Sequence, residues 1–187
     1  MTLLSAPFVT ACRRLARWIE RGLACVGLLF LLFHLSLEVL VMTSDSMSPA
    51  LKGSSFETGD HVLVDKLSRR LRSPQRWEIY SYYNEDSILV AKRIVGLPGE
   101  RISIRGDSVF VNGSPLERPH RLPPVRYYPY GSLAEGREVK CVAGYFMLGD
   151  DSIDSLDSRY SGEVANDRLI GRAFCVLSPA SRRGFVR

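Results

Sequence analysis

Three short segments of this 187-residue chain hold the side chains best suited to chemistry. The first, Ser44-Asp45-Ser46-Met47-Ser48-Pro49-Ala50-Leu51, offers hydroxyls. The second, Val90-Ala91-Lys92-Arg93-Ile94-Val95-Gly96-Leu97-Pro98-Gly99-Glu100, offers an amine on a β-type run followed by a G-x-P-G turn. The third, Gly149-Asp150-Asp151-Ser152-Ile153-Asp154-Ser155-Leu156-Asp157-Ser158-Arg159-Tyr160, offers carboxylates, hydroxyls and a guanidinium. Taken singly, each has a plainer reading. The first is a Ser/Pro-rich linker, and the second is an edge strand guarded by charge. The third suggests a calcium loop, but an EF-hand needs Gly at loop position 6 and Glu at position 12. Counting from Asp150, those places hold Ser155 and Ser161. No C-x-x-C pair exists and histidine is scarce (His34, His61, His120), so no zinc site is supported.

The elements that must carry these segments begin with an apolar run from Gly22 to Met42, long enough as a helix to cross a hydrocarbon core of about 30 Å. Arg13, Arg14, Arg17 and Arg21 precede it. By the positive-inside tendency, residues 1–21 form a cytoplasmic basic N-terminus, 22–42 a single transmembrane anchor, and 43–187 an exported domain. The run is longer than the apolar region of a cleaved leader, and no A-x-A-like site follows it. The competing reading is a buried helix of a soluble protein. His34 and Glu38, four apart, would share a helix face and could pair. The net charge is +5, and Arg182, Arg183 and Arg187 at the far end read as topology signals too. No basic face interleaved with aromatics exists, which argues against a nucleic-acid partner.

Beyond residue 43 the periodicity turns to that of strands. His61–Lys66, Trp77–Tyr82, Ile88–Val95, Arg101–Arg105, Val109–Val111, Gly144–Leu148 and Ile170–Leu177 are β-branched or alternating. Gly106-Asp107 predicts a hairpin turn, and Asn112-Gly113 ends the return strand. The Arg105-Gly106-Asp107 tripeptide is turn chemistry rather than an adhesion signal. The expected fold is mainly β, a sandwich or partly open barrel preceded by one N-terminal transmembrane helix. Residues 114–136 form a long Pro/Tyr-rich connection. It is either a proline-stiffened surface excursion or a contact with the lipid interface. Cys141 and Cys175 either form a disulfide or are two buried small hydrophobes.

Together the three segments are far more specific than apart. In order and spacing they resemble the boxes of type I signal peptidases, the S26 serine–lysine protease family. These are S-x-S-M-x-P-x-L after the anchor, K-R-x-x-G-x-P-G-[DE] at Lys92–Glu100, and G-D-N-x-x-x-S-x-D-S-R at Gly149–Arg159. A further G-D strand box stands at Gly59-Asp60-His61-Val62-Leu63-Val64. The resemblance runs from about Ser44 to Ser178. Asp151 stands where Asn is usual, Ala50 where Thr is common and Ser161 where Trp is common; none of these removes a catalytic side chain.

The resemblance implies a membrane-bound serine endopeptidase that cleaves signal peptides from exported precursors, with no cofactor and no metal. It makes Ser46 the nucleophile and Lys92 the base that activates it. Ser44 donates to the oxyanion beside the Ser46 N–H, Ser155 hydrogen-bonds the lysine amine, and Asp157 and Arg159 are a supporting ion pair. Lysine can act this way only if desolvation lowers its pKa from about 10.4. Arg93, next on the strand, is expected to face solvent while Lys92 faces inward. Partners implied are signal peptides and the bilayer of the plasma or inner membrane, with the catalytic domain outside and the chain a monomer. Rival readings are a protease dedicated to a few clients, a silent membrane-anchored peptide-binding β-domain, and a soluble self-cleaving repressor-type Ser–Lys protease.

Overall fold

An α-helix, α1 (Ala6–Ser36), opens the chain. In the computed structural model residues 6–134 and 136–186 are described; residues 1–5 of the expected basic N-terminus, Glu135 of the long connection and the terminal Arg187 lie outside them. Within α1 the stretch Thr10–Ser36 is long and apolar enough to cross a membrane, and none of it is buried in protein. The helix forms one compact unit, and Leu37–Arg187 forms the other.

The expected helical span 22–42 is corrected at its end. Leu37–Val41 is a strand, β1, paired antiparallel with β2 (His61–Asp65) from Leu37↔Asp65 to Val41↔His61. Leu40 enters a core beside Val62 and Val64, and β-branched Val39 and Val41 suit the pleat. An apolar helix running into an apolar strand shows no break in hydropathy, so the boundary was invisible in the sequence. Glu38 therefore lies on a strand, and the helical spacing to His34 does not apply. His34 instead packs edge-on against Phe30, with ring centroids 4.3 Å apart.

The second unit is mainly β, as expected. A four-residue helix, α2 (Ser68–Leu71), precedes β3 (Ile79–Tyr83) and β4 (Leu89–Gly96). Next come β5 (Arg101–Arg105), β6 (Ser108–Val111), β7 (Ser114–Pro115), β8 (Glu138–Lys140) and β9 (Phe146–Leu148). A helical turn, α3 (Ser158–Ser161), precedes β10 (Leu169–Ser178) and β11 (Gly184–Phe185). One antiparallel sheet runs β1-β2-β10-β3-β4-β9, with β11 on β10; a second runs β7-β6-β5-β8. The turn at Gly106-Asp107 joins β5 to β6 as expected. Asn112 and Gly113, both at positive φ (50° and 81°), join β6 to β7 as a tight two-residue turn.

Alternation along β3 and β4 gives the first sheet a core on each face. Ile79 and Ala91 join Met47, Leu51, Val62 and Val176 on one side. Tyr80, Tyr82 and Ile94 join Met147, Val164 and Leu169 on the other. A third cluster packs Ile102, Ile104 and Val109 of the second sheet with Phe146 and Leu148 of β9 in the first.

The 114–136 connection is not a surface excursion. Val125, Tyr127 and Leu133 are buried in the third cluster, and Arg118 closes the loop on the carbonyls of Pro123 and Val125. Cys141 and Cys175 are both free thiols, so the disulfide alternative does not hold; Cys141 is packed in the third cluster while Cys175 sits in β10.

Candidate active site

Ser46 is placed by its neighbours. Met47 and Leu51, both without exposed surface, anchor the turn in the core, and the Leu51 N–H donates to the Met47 carbonyl at 2.9 Å. The Asp45 carboxylate accepts from the Gly53 N–H at 3.1 Å. Beyond this turn, Asp60 of the G-D box is 1% exposed and accepts from the Lys52 N–H and from Arg182 at 2.8 Å each. Arg182 thus belongs to the scaffold of the site. The Arg183 guanidinium likewise donates to the Leu177 carbonyl at 3.0 Å.

Lys92 reaches the same spot from β4. Its amine lies 2.6 Å from the Ser46 hydroxyl, with Lys92 4% and Ser46 6% exposed. Burial, the largest influence, pulls the Lys92 pKa down from 10.5 to about 8, against the opposing pull of Asp157 and Asp150. The Ser44 hydroxyl stands 3.3 Å from that of Ser46. No acceptor among the described residues takes the Ser46 N–H. Both groups are donors close to the Ser46 hydroxyl, of the kind that can stabilise an oxyanion.

Ser155 is brought to the site but differs in its partner. Its hydroxyl donates to Asp157 at 2.9 Å, and among the described residues the Lys92 amine hydrogen-bonds Ser46 alone. Asp157 is the hub of the last segment. It accepts from the Gly149 N–H (3.0 Å), the Arg159 N–H (3.1 Å) and the Arg159 guanidinium (2.8 Å to each carboxylate oxygen). Arg159 has no exposed surface and also donates to Ser152 at 2.7 Å.

Arg93 corrects a further expectation. It does face away from Lys92, but it is buried rather than solvated. Its guanidinium donates to both Asp150 oxygens at 2.7 and 2.5 Å and to the Trp77 carbonyl. The Tyr127 hydroxyl approaches Asp150 at 3.4 Å, and the Tyr128 N–H donates to Ser152. The long connection therefore buttresses the segment that carries Asp150, Ser155 and Asp157. One indirect sign of this lay in the sequence, a tyrosine cluster inside a long connection of a kind that is often functional. Among the described residues no group of three or more His, Cys, Asp or Glu side chains gathers as metal ligands would.

Two segments meet at Gly149. A Cβ there would press into the Ser155 hydroxyl and stand 2.5 Å from the Ser46 carbonyl oxygen, which also accepts from the Asp151 N–H at 3.1 Å. Gly149→Ala is expected to destabilise the β-unit by about 1–3 kcal/mol through overpacking. Thermal unfolding checks this; an unchanged midpoint would mean the contact yields freely.

A groove of about 340 Å³ opens at Ser46 and Lys92, bounded by Leu40, Met42, Ser44, Ile88 and Val90 among others. β9 pairs β4 only from Arg93 to Gly96, so Leu89–Lys92 has one backbone edge without a strand partner.

The family model described as "Signal peptidase, peptidase S26" matches residues 15–178. A probable signal peptidase I-2 of Synechocystis sp. is 31% identical over 179 residues, covering 90% of this chain and 77% of that protein. Signal peptidase I of Leptolyngbya laminosa is 30% identical over 156 residues, covering 79% and 71%. Signal peptidase I V of Bacillus subtilis is 33% identical over 135 residues, covering 67% and 77%.

Proposed function

Because this chain belongs to the signal peptidase family, peptidase S26, we propose that Ser46 and Lys92 are the catalytic dyad with which it works. The chain is a serine endopeptidase that removes signal peptides from exported precursors. The observation that carries the dyad is a buried lysine amine 2.6 Å from a buried serine hydroxyl.

In the proposed cycle the neutral Lys92 amine takes the Ser46 proton as Oγ attacks the scissile carbonyl. The Ser46 N–H and the Ser44 hydroxyl donate to the oxyanion, each donor worth about 3 kcal/mol in such sites. The lysine ammonium then hands its proton to the leaving amine, and an acyl-enzyme remains. A water molecule, deprotonated by Lys92, releases it. Asp157 and Arg159 hold the last segment in shape, and the Ser155 hydroxyl is fixed on Asp157 within it. The substrate adds as a strand to the open edge of β4, with the groove accepting small side chains.

α1 is proposed to anchor the enzyme in the bilayer as a single span. Arg13, Arg14, Arg17 and Arg21 hold its N-terminal side in the cytoplasm, and the β-unit works on the outer face as a monomer. Nine residues, 37–45, lie between the end of the helix, Ser36, and Ser46.

The test is the pH dependence of precursor cleavage. Only neutral Lys92 is a base, so kcat/KM should climb about tenfold per pH unit below about pH 8 and level off above it. A profile flat from neutral to alkaline pH removes Lys92 from the role.

A further inference from the structure

We propose that a cavity beside the catalytic groove is a subsite for a cationic side chain of the substrate, close to the bond that is cut. The proposal rests on the protease reading above. The cavity encloses about 190 Å³. Its walls come from Tyr82, from Asn84, Glu85 and Asp86 at the β3–β4 turn, and from Leu156 and Ser161 of the last segment. Asn84 and Leu156 line the catalytic groove as well, so the two spaces share a wall. Leu156, 83% exposed, is the sill between them. Ser161 keeps the mouth open with a small side chain where the S26 box commonly carries tryptophan.

Charge selects the occupant. No basic residue lines the cavity, and Lys92 is the one that lines the groove. Glu85, Asp86 and the groove's Asp154 take part in no ion pair among the described residues. Asp157, also on the cavity wall, is already neutralised by Arg159. Arg168, the cation felt by Tyr82, is held on the Tyr83 carbonyl at 2.7 Å.

A second observation points the same way. Tyr82 is 4% exposed, yet its hydroxyl has no hydrogen-bond partner among the described residues, and the ring borders the cavity. Burial, and after it the Asp157 carboxylate, keep that phenol protonated, and its oxygen, not sealed from the cavity, can accept from a donor that enters. An entering lysine or arginine would lay its aliphatic stem over Leu156. Its head would donate to the phenol oxygen and pair with Glu85 and Asp86.

The test is a panel of precursors with lysine, arginine or glutamine placed in turn at each position flanking the cleavage bond. At one position the cationic residues should raise kcat/KM about fivefold over glutamine at low salt, the size expected for exposed charge pairs. That ratio should fall toward one in about 1 M salt, where the Debye length is about 3 Å, and in the E85Q/D86N double variant. Equal kcat/KM for all three residues at every position overturns the subsite and leaves the protease reading standing. A preference unchanged by both the salt and the double variant overturns it too. Failure of every precursor in the panel would overturn the protease reading and the subsite with it.

Discussion

Ser46→Ala and Lys92→Ala each lower kcat/KM for precursor cleavage by about 10⁴-fold or more, while the β-unit stays folded. The size follows from the chemistry. Without a base the serine hydroxyl keeps its proton, and without the serine no acyl-enzyme forms; residues that act as a unit lose nearly everything when either is removed. The two substitutions together should therefore cost little more than one alone. Thermal unfolding separates catalysis from folding. The Lys92 pKa in the fold, about 8, lies below its ordinary 10.5. Between those values the unfolded chain binds more protons than the folded one, so stability rises with pH across that window and is lowest below it. Lys92→Met removes a buried amine and should abolish this rise, at no loss of stability at neutral pH. Appreciable cleavage by either alanine variant would sink the dyad.

Asp157→Ala lowers stability by about 3–5 kcal/mol, the cost of leaving a buried cation without its partner. Arg159 has no exposed surface, and Asp157 is 1% exposed. For a domain of this size that loss shifts the unfolding midpoint by about 10 °C. Sequence reasoning treats the two as an exchangeable ion pair, so that reversing both charges restores what either single change loses. The structure argues otherwise. The Gly149 N–H and the Ser155 hydroxyl also donate to Asp157, and an arginine at 157 offers them no acceptor. The double variant Asp157→Arg/Arg159→Asp is thus expected to remain destabilised, and full recovery in a melting experiment would refute the hub. The exposed Arg101–Glu138 pair is the contrast; its removal should cost less than about 1 kcal/mol.

What was legible in the sequence was local. Alternation marked β3 to β6 within a residue or two, because each strand half-buries a face with period two. The three boxes were readable because each is contiguous. What escaped was made by distance. Asp60 and Arg182 are 122 positions apart, and Arg93 and Asp150 are 57 apart. Nothing in either neighbourhood announces its partner. Arg93 was expected in water because strand alternation says which way a side chain turns but not what covers the far face. There the covering includes Tyr127, delivered by a loop whose prolines and tyrosines resemble a surface excursion. Ser155 was brought to the site, yet its hydroxyl turned to Asp157, a choice set by hydrogen-bond geometry that residue type alone does not specify.

Lys92 and Arg93 sit back to back on β4, one titrating beside Ser46, the other locked to Asp150. A strand alternates strictly, so deleting or inserting one residue ahead of Lys92 would exchange the two sides. The guanidinium would then face the serine, and it cannot give up its proton at any ordinary pH. Such a change would keep every residue of the motif and still leave an inert protein. Along this stretch, chain length itself is part of the proposed catalytic apparatus, and a frame error of one step is expected to be as damaging as losing the lysine.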